Sequence, residues 1–383
     1  MLMQTWAMLV DAYRELCARK LFWITMGISG LVVLAFALVG IDETGVTMLW
    51  FTIPLPRFST QILTPKLFYV SLFRNLGIDW WLGIIASVLA LITTAGFFPS
   101  LMESGSIEVH LSKPISRVRI FLTRYFTGLL FVALQVGVFT TASFFVLGLR
   151  GGAWVPSVFL AIPVVICFFS YLYCVCVLIG VFTRSAMPAL ILTAIFWFAL
   201  FILNVSDVTL VGFREGNQDI VESRAMRIER LEQGARRQIM ESKRAEGIEN
   251  YEPTAEEIDA AMPLLKRLRE EQEKDQKTLR SLETWTRRIY VIKSVLPKTG
   301  ETIGLLDRWL LPMDELEEAR QRAEEAGLNN RPPRDADEPE AMNPEAIVRE
   351  LRARPVWWVI GTSLGFEAVV MAIAGWIFVR RDY

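Results

Sequence analysis

Long apolar stretches without charged residues divide this chain into segments of the length that crosses a lipid bilayer. A transmembrane helix needs about 20 predominantly apolar residues. The sequence therefore predicts an all-α membrane protein with six transmembrane helices. The six stretches are 21–41, 80–102, 125–149, 151–183, 185–206 and 355–379.

The first 20 residues carry a different pattern, with apolar side chains at intervals of three and four. This spacing places them on one face of a helix. It predicts an amphipathic interfacial helix at 1–20 on the inner leaflet, with a frayed polar tail as the alternative. The apolar positions are Leu2, Trp6, Leu9, Tyr13 and Leu16.

The connection between the first two stretches, residues 42–79, contains three prolines among aromatic residues. We expect it to form an irregular outer cap close to lipid. Trp80 and Trp81 follow it directly, and tryptophan is enriched at membrane interfaces. The second span is therefore predicted to begin at these two residues.

A charge-dense segment, 207–354, separates the fifth apolar stretch from the sixth. Apolar residues recur at helical steps within 219–247, and again along a heptad seam after a break at 247–253. Thr254 and Glu257 have the spacing of a capping box. The pattern predicts an antiparallel hairpin, with solvated single helices as the alternative. The apolar seam positions are Ile258, Ala261, Leu265, Leu268, Leu279 and Leu282.

From Trp285 the pattern becomes amphipathic. Residues 285–296 mix aromatic, aliphatic and cationic side chains, and 303–311 present another apolar face. We expect both segments to return to the outer membrane surface, before a linker at 329–344. The motif that joins them contains Pro297, Gly300 and Glu301.

Charge indicates how these segments are oriented, although the formal net charge is only −1. Cations beside membrane spans are retained in the cytoplasm, and ten cations against four favour a cytoplasmic N-terminus and C-terminus. The long segment 207–354 then lies outside the cytoplasm. It holds 26 of the 40 Lys and Arg and 32 of the 41 Asp and Glu, a net of −6. Because acids interleave with the cations, no basic face is free for nucleic acid. The predicted divisions are 1–20, 21–206, 207–354 and 355–383.

Candidate chemistry within the spans is sparse. The chain contains no G-x-x-x-x-G-K-[ST] phosphate-binding loop. Ser29 is better explained as a helix-packing residue than as a nucleophile, since the sole histidine, His110, is not in a span. We expect no catalytic residue and no metal site. Glu367 is the one ionisable group within a predicted span, either a substrate-path or interface acid or a structural hydrogen-bonding group.

Residues 103–125 form a short polar connection between the second and third spans and carry the most specific pattern. Glycine permits a tight reversal, and proline starts a helix at a fixed angle. Arginine neutralises lipid phosphate or an acid on a partner. An ordinary cytoplasmic loop explains the cations but not the order of acid, glycine and proline. The candidate coupling residues are Glu103, Gly105, Glu108, Leu111, Ser112, Pro114, Ser116, Arg117 and Arg124.

Three runs in this connection, beginning at Glu103, Leu111 and Leu122, resemble the second cytoplasmic connection of ABC-2-type transporter permeases. The runs are Glu-x-Gly-Ser-Ile-Glu, Leu-Ser-x-Pro-Ile-Ser-Arg and Leu-x-Arg-Tyr. Ser106 stands where threonine is usual, and Arg124 where lysine is common. The resemblance extends to the N-terminal helix and the six-span order. The Pro-Lys-Thr-Gly-Glu motif at 297–301 resembles the branch containing the permease for nitrous-oxide reductase maturation, whereas the charged hairpin is a departure.

The resemblance implies a transport function. In that family the connection forms coupling helices that seat against a separate ATPase subunit, which binds ATP and Mg. It implies a homodimer in the bacterial cytoplasmic membrane. It also implies export, the usual direction of transport in that family, and no cofactor bound by this chain. The alternative is a non-transporting membrane scaffold, whose coiled coil serves an extracytoplasmic protein partner.

Overall fold

The computed structural model describes residues 20–48, 51–55, 58–102, 116–248, 251–327 and 344–380. The predicted N-terminal amphipathic helix lies outside the described residues, except for Lys20. So do residues 103–115 of the predicted coupling connection. The described part is mostly helical, as the sequence predicts.

Within the described residues, six helices are long and apolar enough to cross a membrane, which agrees with the predicted number. The fifth is a single helix of 60 residues that continues far beyond its apolar part. We label these helices α1 to α5 and α11 in chain order. Their bounds are α1 Lys20–Leu38, α2 Pro65–Leu101, α3 Arg117–Arg150, α4 Pro156–Thr183, α5 Ala186–Ala245 and α11 Trp357–Arg380.

Between α5 and α11, the described residues form five further helices. The chain divides into two compact units. The first contains Met1–Ile202, Ser294–Asn330 and Arg354–Tyr383, and the second contains Leu203–Lys293 and Arg331–Ala353. The further helices are α6 Ala255–Ala261, α7 Pro263–Val295, α8 Thr299–Leu310, α9 Met313–Glu325 and α10 Pro344–Ala353.

A small antiparallel sheet follows α1, where the sequence suggested an irregular cap. Its register pairs Gly40 with Thr47 and Thr47 with Thr52. Gly45 has a φ of 152°, and a Cβ there would lie 2.3 Å from the Ile53 carbonyl oxygen. The reversal between the first two strands therefore requires glycine. The strands are β1 Val39–Asp42, β2 Gly45–Met48 and β3 Phe51–Pro54.

Helix α2 begins at Pro65, well before the predicted start at Trp80. The Thr64 hydroxyl accepts a hydrogen bond of 3.2 Å from the Leu67 backbone N–H, and Pro65 occupies the first turn, where its missing N–H costs nothing. A π-helical segment, Phe73–Ala86, forms the middle of α2. Such wide turns often occur at functional sites.

Helix α4 is the centre of the first unit. In the most apolar 18-residue stretch of α4, 78% of the residues are buried. The corresponding share is 17–22% in α1, α5 and α11. The aromatic side chains of Phe169, Tyr171 and Tyr173 are fully buried on it. Helices α3, α8 and α11 all pack against α4. Any polar group at these contacts is consequently shielded by the core.

The second unit contains an antiparallel helix pair within one chain. Arg224 of α5 pairs with Asp275 of α7 at 2.9 Å, and Glu232 pairs with Arg269. Later residues of α5 thus meet earlier residues of α7. An apolar cluster between the helices contains Ile228, Ala235, Ile258, Leu265 and Leu268.

A capping box determines where the second half of the hairpin begins. Thr254 and Glu257 form both hydrogen bonds of the predicted capping box, at the start of α6. This helix ends before Met262, and Pro263 begins α7. Ala261 is exposed beside this interruption, although the heptad pattern placed it on the seam.

A buried ion pair joins the two hairpin helices beyond their apolar cluster. The Lys293 Nζ donates to Asp207 Oδ2 at 2.8 Å and to Asn204 Oδ1 at 3.1 Å. The two charged side chains are 5% and 1% exposed. Because each charge has lost its hydration, the attraction between them has to offset a large desolvation cost.

We expect Lys293→Met to destabilise the hairpin by about 3–5 kcal/mol, because it leaves the buried Asp207 carboxylate without its ammonium partner. Proteolysis of the full chain at sites within the hairpin, measured against urea concentration, reports the loss.

Lys277→Met is the matched control. Lys277 also pairs with a carboxylate, Glu273, at 2.8 Å, but these side chains are 71% and 68% exposed. We expect this change to leave protection unaltered. If both variants become equally sensitive to proteolysis, burial is not the reason that the Lys293–Asp207 pair stabilises the hairpin.

Candidate functional site

Glu367 lies on α11 and receives hydrogen bonds from two other spans. The Tyr125 hydroxyl of α3 donates to its Oε1 at 2.7 Å, and the Ser170 hydroxyl of α4 donates to its Oε2 at 2.7 Å. The Glu367 side chain is half-buried. One carboxyl group therefore ties three helices together, which is the structural hydrogen-bonding interpretation of this acid.

The beginning of α3 brings Tyr125 to this position. Ser116 is extended and precedes the first helical residue, Arg117. Residues 117, 121 and 125 recur every four positions and share one helix face. Along this face, Arg117 Nη1 donates to the Val379 carbonyl at 3.0 Å, and the rings of Phe121 and Phe378 lie 5.6 Å apart. The first turns of α3 thus follow the last turns of α11.

Aromatic rings form one side of the site. Tyr125 stacks on Tyr173 with centroids 5.2 Å apart and an interplanar angle of 9°. Phe169 stacks on the same Tyr173 ring at 5.4 Å. A Cβ at Gly128 would lie 2.5 Å from the Tyr173 hydroxyl, so glycine makes room for the tyrosine. The ring of Tyr125 is consequently fixed, and its hydroxyl is directed at Glu367.

The predicted coupling residues are described only in part. Ser116 is exposed and its carbonyl accepts from Arg119 and Ile120, which starts α3. Arg117 contacts α11, and Arg124 is half-buried. The other candidates lie outside the described residues. They are Glu103, Gly105, Glu108, Leu111, Ser112 and Pro114.

The Pro-Lys-Thr-Gly-Glu motif docks on the beginning of α11. Pro297 is buried and Gly300 is exposed. Lys298 is 1% exposed, and its Nζ donates to Thr362 Oγ1 at 2.5 Å and lies 4.4 Å from the Trp358 ring centroid.

Glu301, at the end of the same motif, accepts a bond of 3.0 Å from Arg354 Nη1, and both side chains are 9% exposed. Arg354 also lies over the Trp358 ring, with its Cζ 5.7 Å from the centroid. The motif therefore contributes an ammonium contact and an ion pair that position the first turns of α11.

Helix α8 packs against α4 with its apolar face. The sequence predicted that this face meets the membrane surface, but in the structure it is buried by other parts of the protein. Asp307 of the same helix forms an ion pair with Arg74 of the π-helical segment, with Arg74 Nη2 and Asp307 Oδ2 3.0 Å apart. The buried residues are Ile303, Leu305, Leu306 and Leu310.

Sequence reasoning identified Glu367 but missed its partners. Tyr125 and Ser170 are 242 and 197 positions away. Tyr125 ends the Leu-x-Arg-Tyr run, but nothing in that run relates it to Glu367, and Ser170 has no unusual local pattern. It likewise missed the Asp207–Lys293 and Arg74–Asp307 pairs. A charged residue beside a long apolar stretch was the only available signal for Arg74 and Asp207. Within the described residues, no group of three or more His, Cys, Asp or Glu is placed to hold a metal.

No family model, curated protein or solved structure matches this chain. Its function is therefore inferred from the residue pattern and the geometry above.

We expect Tyr125→Phe to lower the free energy of unfolding by about 1–3 kcal/mol, because Glu367 loses one of its two hydroxyl donors in apolar surroundings. Ser170→Ala should act in the same direction. Denaturation of the purified chain followed by circular dichroism provides the comparison.

Thr141→Ala is the control on α3. Its hydroxyl donates to the Gly137 carbonyl of its own helix at 2.7 Å and is exposed. We expect no measurable loss there. If Tyr125→Phe is as stable as this control, the hydroxyl does not hold the three helices together.

Proposed function

We propose that the chain is the membrane subunit of an ABC-2-type transporter. It works as a homodimer with two separate ATPase chains in a bacterial cytoplasmic membrane, with both termini cytoplasmic. The ATPases bind ATP and Mg, and the membrane subunits export the substrate. The observation that carries this proposal is the order of acid, glycine, proline and arginine at 103–125, on a connection between two spans.

The contacts of α3 support a coupling role for that connection. Arg117 and Tyr125 belong to the candidate segment, and both contact α11. A displacement of the segment by a closing ATPase would therefore act on the last span at two points. Tyr125 passes the displacement to Glu367, and Glu367 is also bonded to Ser170 of α4.

The difference in packing between the spans supports the same mechanism. In the most apolar stretch of α11, 22% of the residues are buried, whereas in that of α4 the share is 78%. A helix that packs against its neighbours along one face, as α11 packs against α4, moves at lower cost than one that is enclosed by other helices. In this mechanism α11 changes its position relative to α4, and access switches across the membrane.

A non-transporting scaffold is the second candidate, and the charged hairpin is the observation that favours it. Its helices pair through an apolar cluster and through ion pairs. Such a rigid pair presents a long charged surface, which suits an extracytoplasmic protein partner. A scaffold needs no ATPase, so the two candidates differ in a measurable way.

Purification from the native host in mild detergent tests the proposal first. We expect an ATPase to copurify in stoichiometric amount and to be lost from a Glu103→Ala, Arg117→Ala variant, because both changes remove charges that the partner would contact.

Arg150→Ala is the matched control, because Arg150 is an arginine at the opposite end of the same helix. It should keep the ATPase. Since Arg117 also binds Val379, Glu103→Ala alone is tested in parallel. Intact protein that repeatedly lacks any ATPase would favour the scaffold.

We expect Glu367→Gln to preserve assembly with the ATPase but to lower transport by the reconstituted complex of the two subunits. The amide retains the size of the side chain and removes its charge, so the three spans stay together while the acid's chemistry is lost. Transport unchanged from that of the wild type would rule out a role for this charge.

A further inference from the structure

The apolar part of α5 does not end at the buried Asp207. From Ala186 to Phe213 this helix carries no charged residue other than Asp207. That stretch rises about 42 Å, whereas the hydrocarbon core of a bilayer is about 30 Å thick and the whole bilayer about 40–45 Å. Arg184 lies just before the stretch, and cations collect at membrane surfaces. The last apolar turns, which lead to Phe213, therefore reach the headgroup region on the other side.

Helix α7 runs beside these turns in a register that ion pairs fix. The paired residues advance by nearly equal steps in opposite directions along the two helices, which places Trp285 about level with Glu215. Residues 284–293 of α7 thus lie alongside residues 208–214 of α5, and we call these two segments the hairpin base. The pairs are Asp207 with Lys293, Arg224 with Asp275 and Glu232 with Arg269.

The outward face of the hairpin base is apolar and aromatic. Lys293, which pairs with α5, is buried, and so is Thr286, two turns before it on the same side of α7. Trp285, Val291 and Ile292 are exposed. A contiguous exposed apolar patch marks a surface that meets lipid or another protein.

Two arginines lie in this patch without an acidic partner. Arg287 and Arg288 are exposed, and neither forms an ion pair with any residue that the structure describes. The Arg288 Cζ lies 4.9 Å from the Trp285 ring centroid, a contact that attracts the guanidinium to the ring face. The hairpin base contains no Asp or Glu. Its surface charge is consequently positive, whereas acids and cations alternate farther along the hairpin.

The order of residues along α7 matches the profile of one bilayer leaflet. Glu283 is the last acid, tryptophan and the two arginines follow, and Val291 and Ile292 come next. Tryptophan and arginine are typical of the headgroup region, and aliphatic residues of the hydrocarbon below it. The Asp207–Lys293 pair then lies on the hydrocarbon side, where charges have to be paired. A partner protein would not require this graded order.

We propose that the hairpin base lies in the lipid leaflet on the hairpin's side of the membrane and that Arg287 and Arg288 bind the phosphate groups of anionic phospholipids. The planar guanidinium group suits the oxygens of a phosphate. Because both arginines lack an acid, they favour lipids with a net negative charge over zwitterionic ones. This inference goes beyond the proposed function, since a transporter and a scaffold could both use such an anchor.

Photocrosslinking of the full chain in nanodiscs tests where the hairpin base lies. The nanodiscs contain phosphatidylcholine and phosphatidylglycerol in equal amounts, and p-benzoylphenylalanine replaces Val291. Met240 is the matched position, because its side chain is similarly exposed, 47% against 59%, but lies far along the hairpin. We expect mass spectrometry to find lipid adducts at Val291 and none above background at Met240.

The ratio of the two lipids in the adducts tests the arginines. At Val291 we expect phosphatidylglycerol to exceed phosphatidylcholine about fivefold, the effect of one arginine near an anionic surface. Arg287→Gln with Arg288→Gln should bring the ratio close to one without changing the total yield. Arg236→Gln with Arg237→Gln is the matched control, because it removes two adjacent exposed arginines farther along α5, and it should keep the ratio.

Lysine substitution separates loss of charge from loss of folding. Arg287→Lys with Arg288→Lys keeps both positive charges, so it should keep most of the preference for phosphatidylglycerol. Loss of the preference in the lysine and glutamine variants alike, with lipid adducts retained, would show that charge does not select the lipid and would contradict the proposal.

Three further results would overturn the proposal. Equal lipid yields at Val291 and Met240 would show that the whole hairpin adsorbs to the membrane. Adducts at Val291 with a second copy of the chain in place of lipid would show an interface between copies. A lipid ratio that Arg287→Gln with Arg288→Gln leaves unchanged would show that these arginines do not bind the headgroups.

Discussion

Polar groups placed among apolar helices must find their partners inside the protein, and this constraint determines how the last span is held. Helix α11 carries Glu367 and Thr362, and the turn before it carries Arg354. Each has a partner from another element: the Tyr125 and Ser170 hydroxyls, Lys298 and Glu301. Because an unmet charge or hydroxyl is costly in low dielectric, these contacts add a directional constraint to the position of α11, which also packs along α4.

The two kinds of interaction in the first unit have different mechanical consequences. Close packing, as around Phe169 and Tyr173 of α4, resists small displacements because every atom has neighbours. A set of hydrogen bonds can exchange one partner for another without opening a cavity. Helix α11 packs on α4 along one face and is mostly exposed elsewhere, so it is the element expected to have two arrangements, and the central aromatic span supplies the fixed reference.

Much of the fold could be predicted from local sequence patterns. The contacts between residues far apart in the chain could not. The six spans follow from apolar length, and the capping box follows from Thr254 and Glu257. The early start of α2 also had a local signal, because a threonine followed by a proline, Thr64-Pro65, is typical of a helix N-terminus. In contrast, Lys293 pairs with Asp207 across 86 positions, and Tyr125 pairs with Glu367 across 242. No periodicity along the chain connects such residues, so the acid was predictable and its site was not.

Helix α3 is better placed than the other spans to link the candidate coupling connection with the membrane interior. It begins within that connection, at Arg117, and one helix face directs Arg117, Phe121 and Tyr125 toward α11. A movement that draws Tyr125 away removes a donor from Glu367, while Ser170 keeps the second. Two arrangements of α3 therefore differ in the number of donors that Glu367 holds, two in one and Ser170 alone in the other. Because a carboxylate that loses a donor in low-dielectric surroundings is less stable, the first arrangement is favoured, and a displacement of the connection has to supply the free energy of the second.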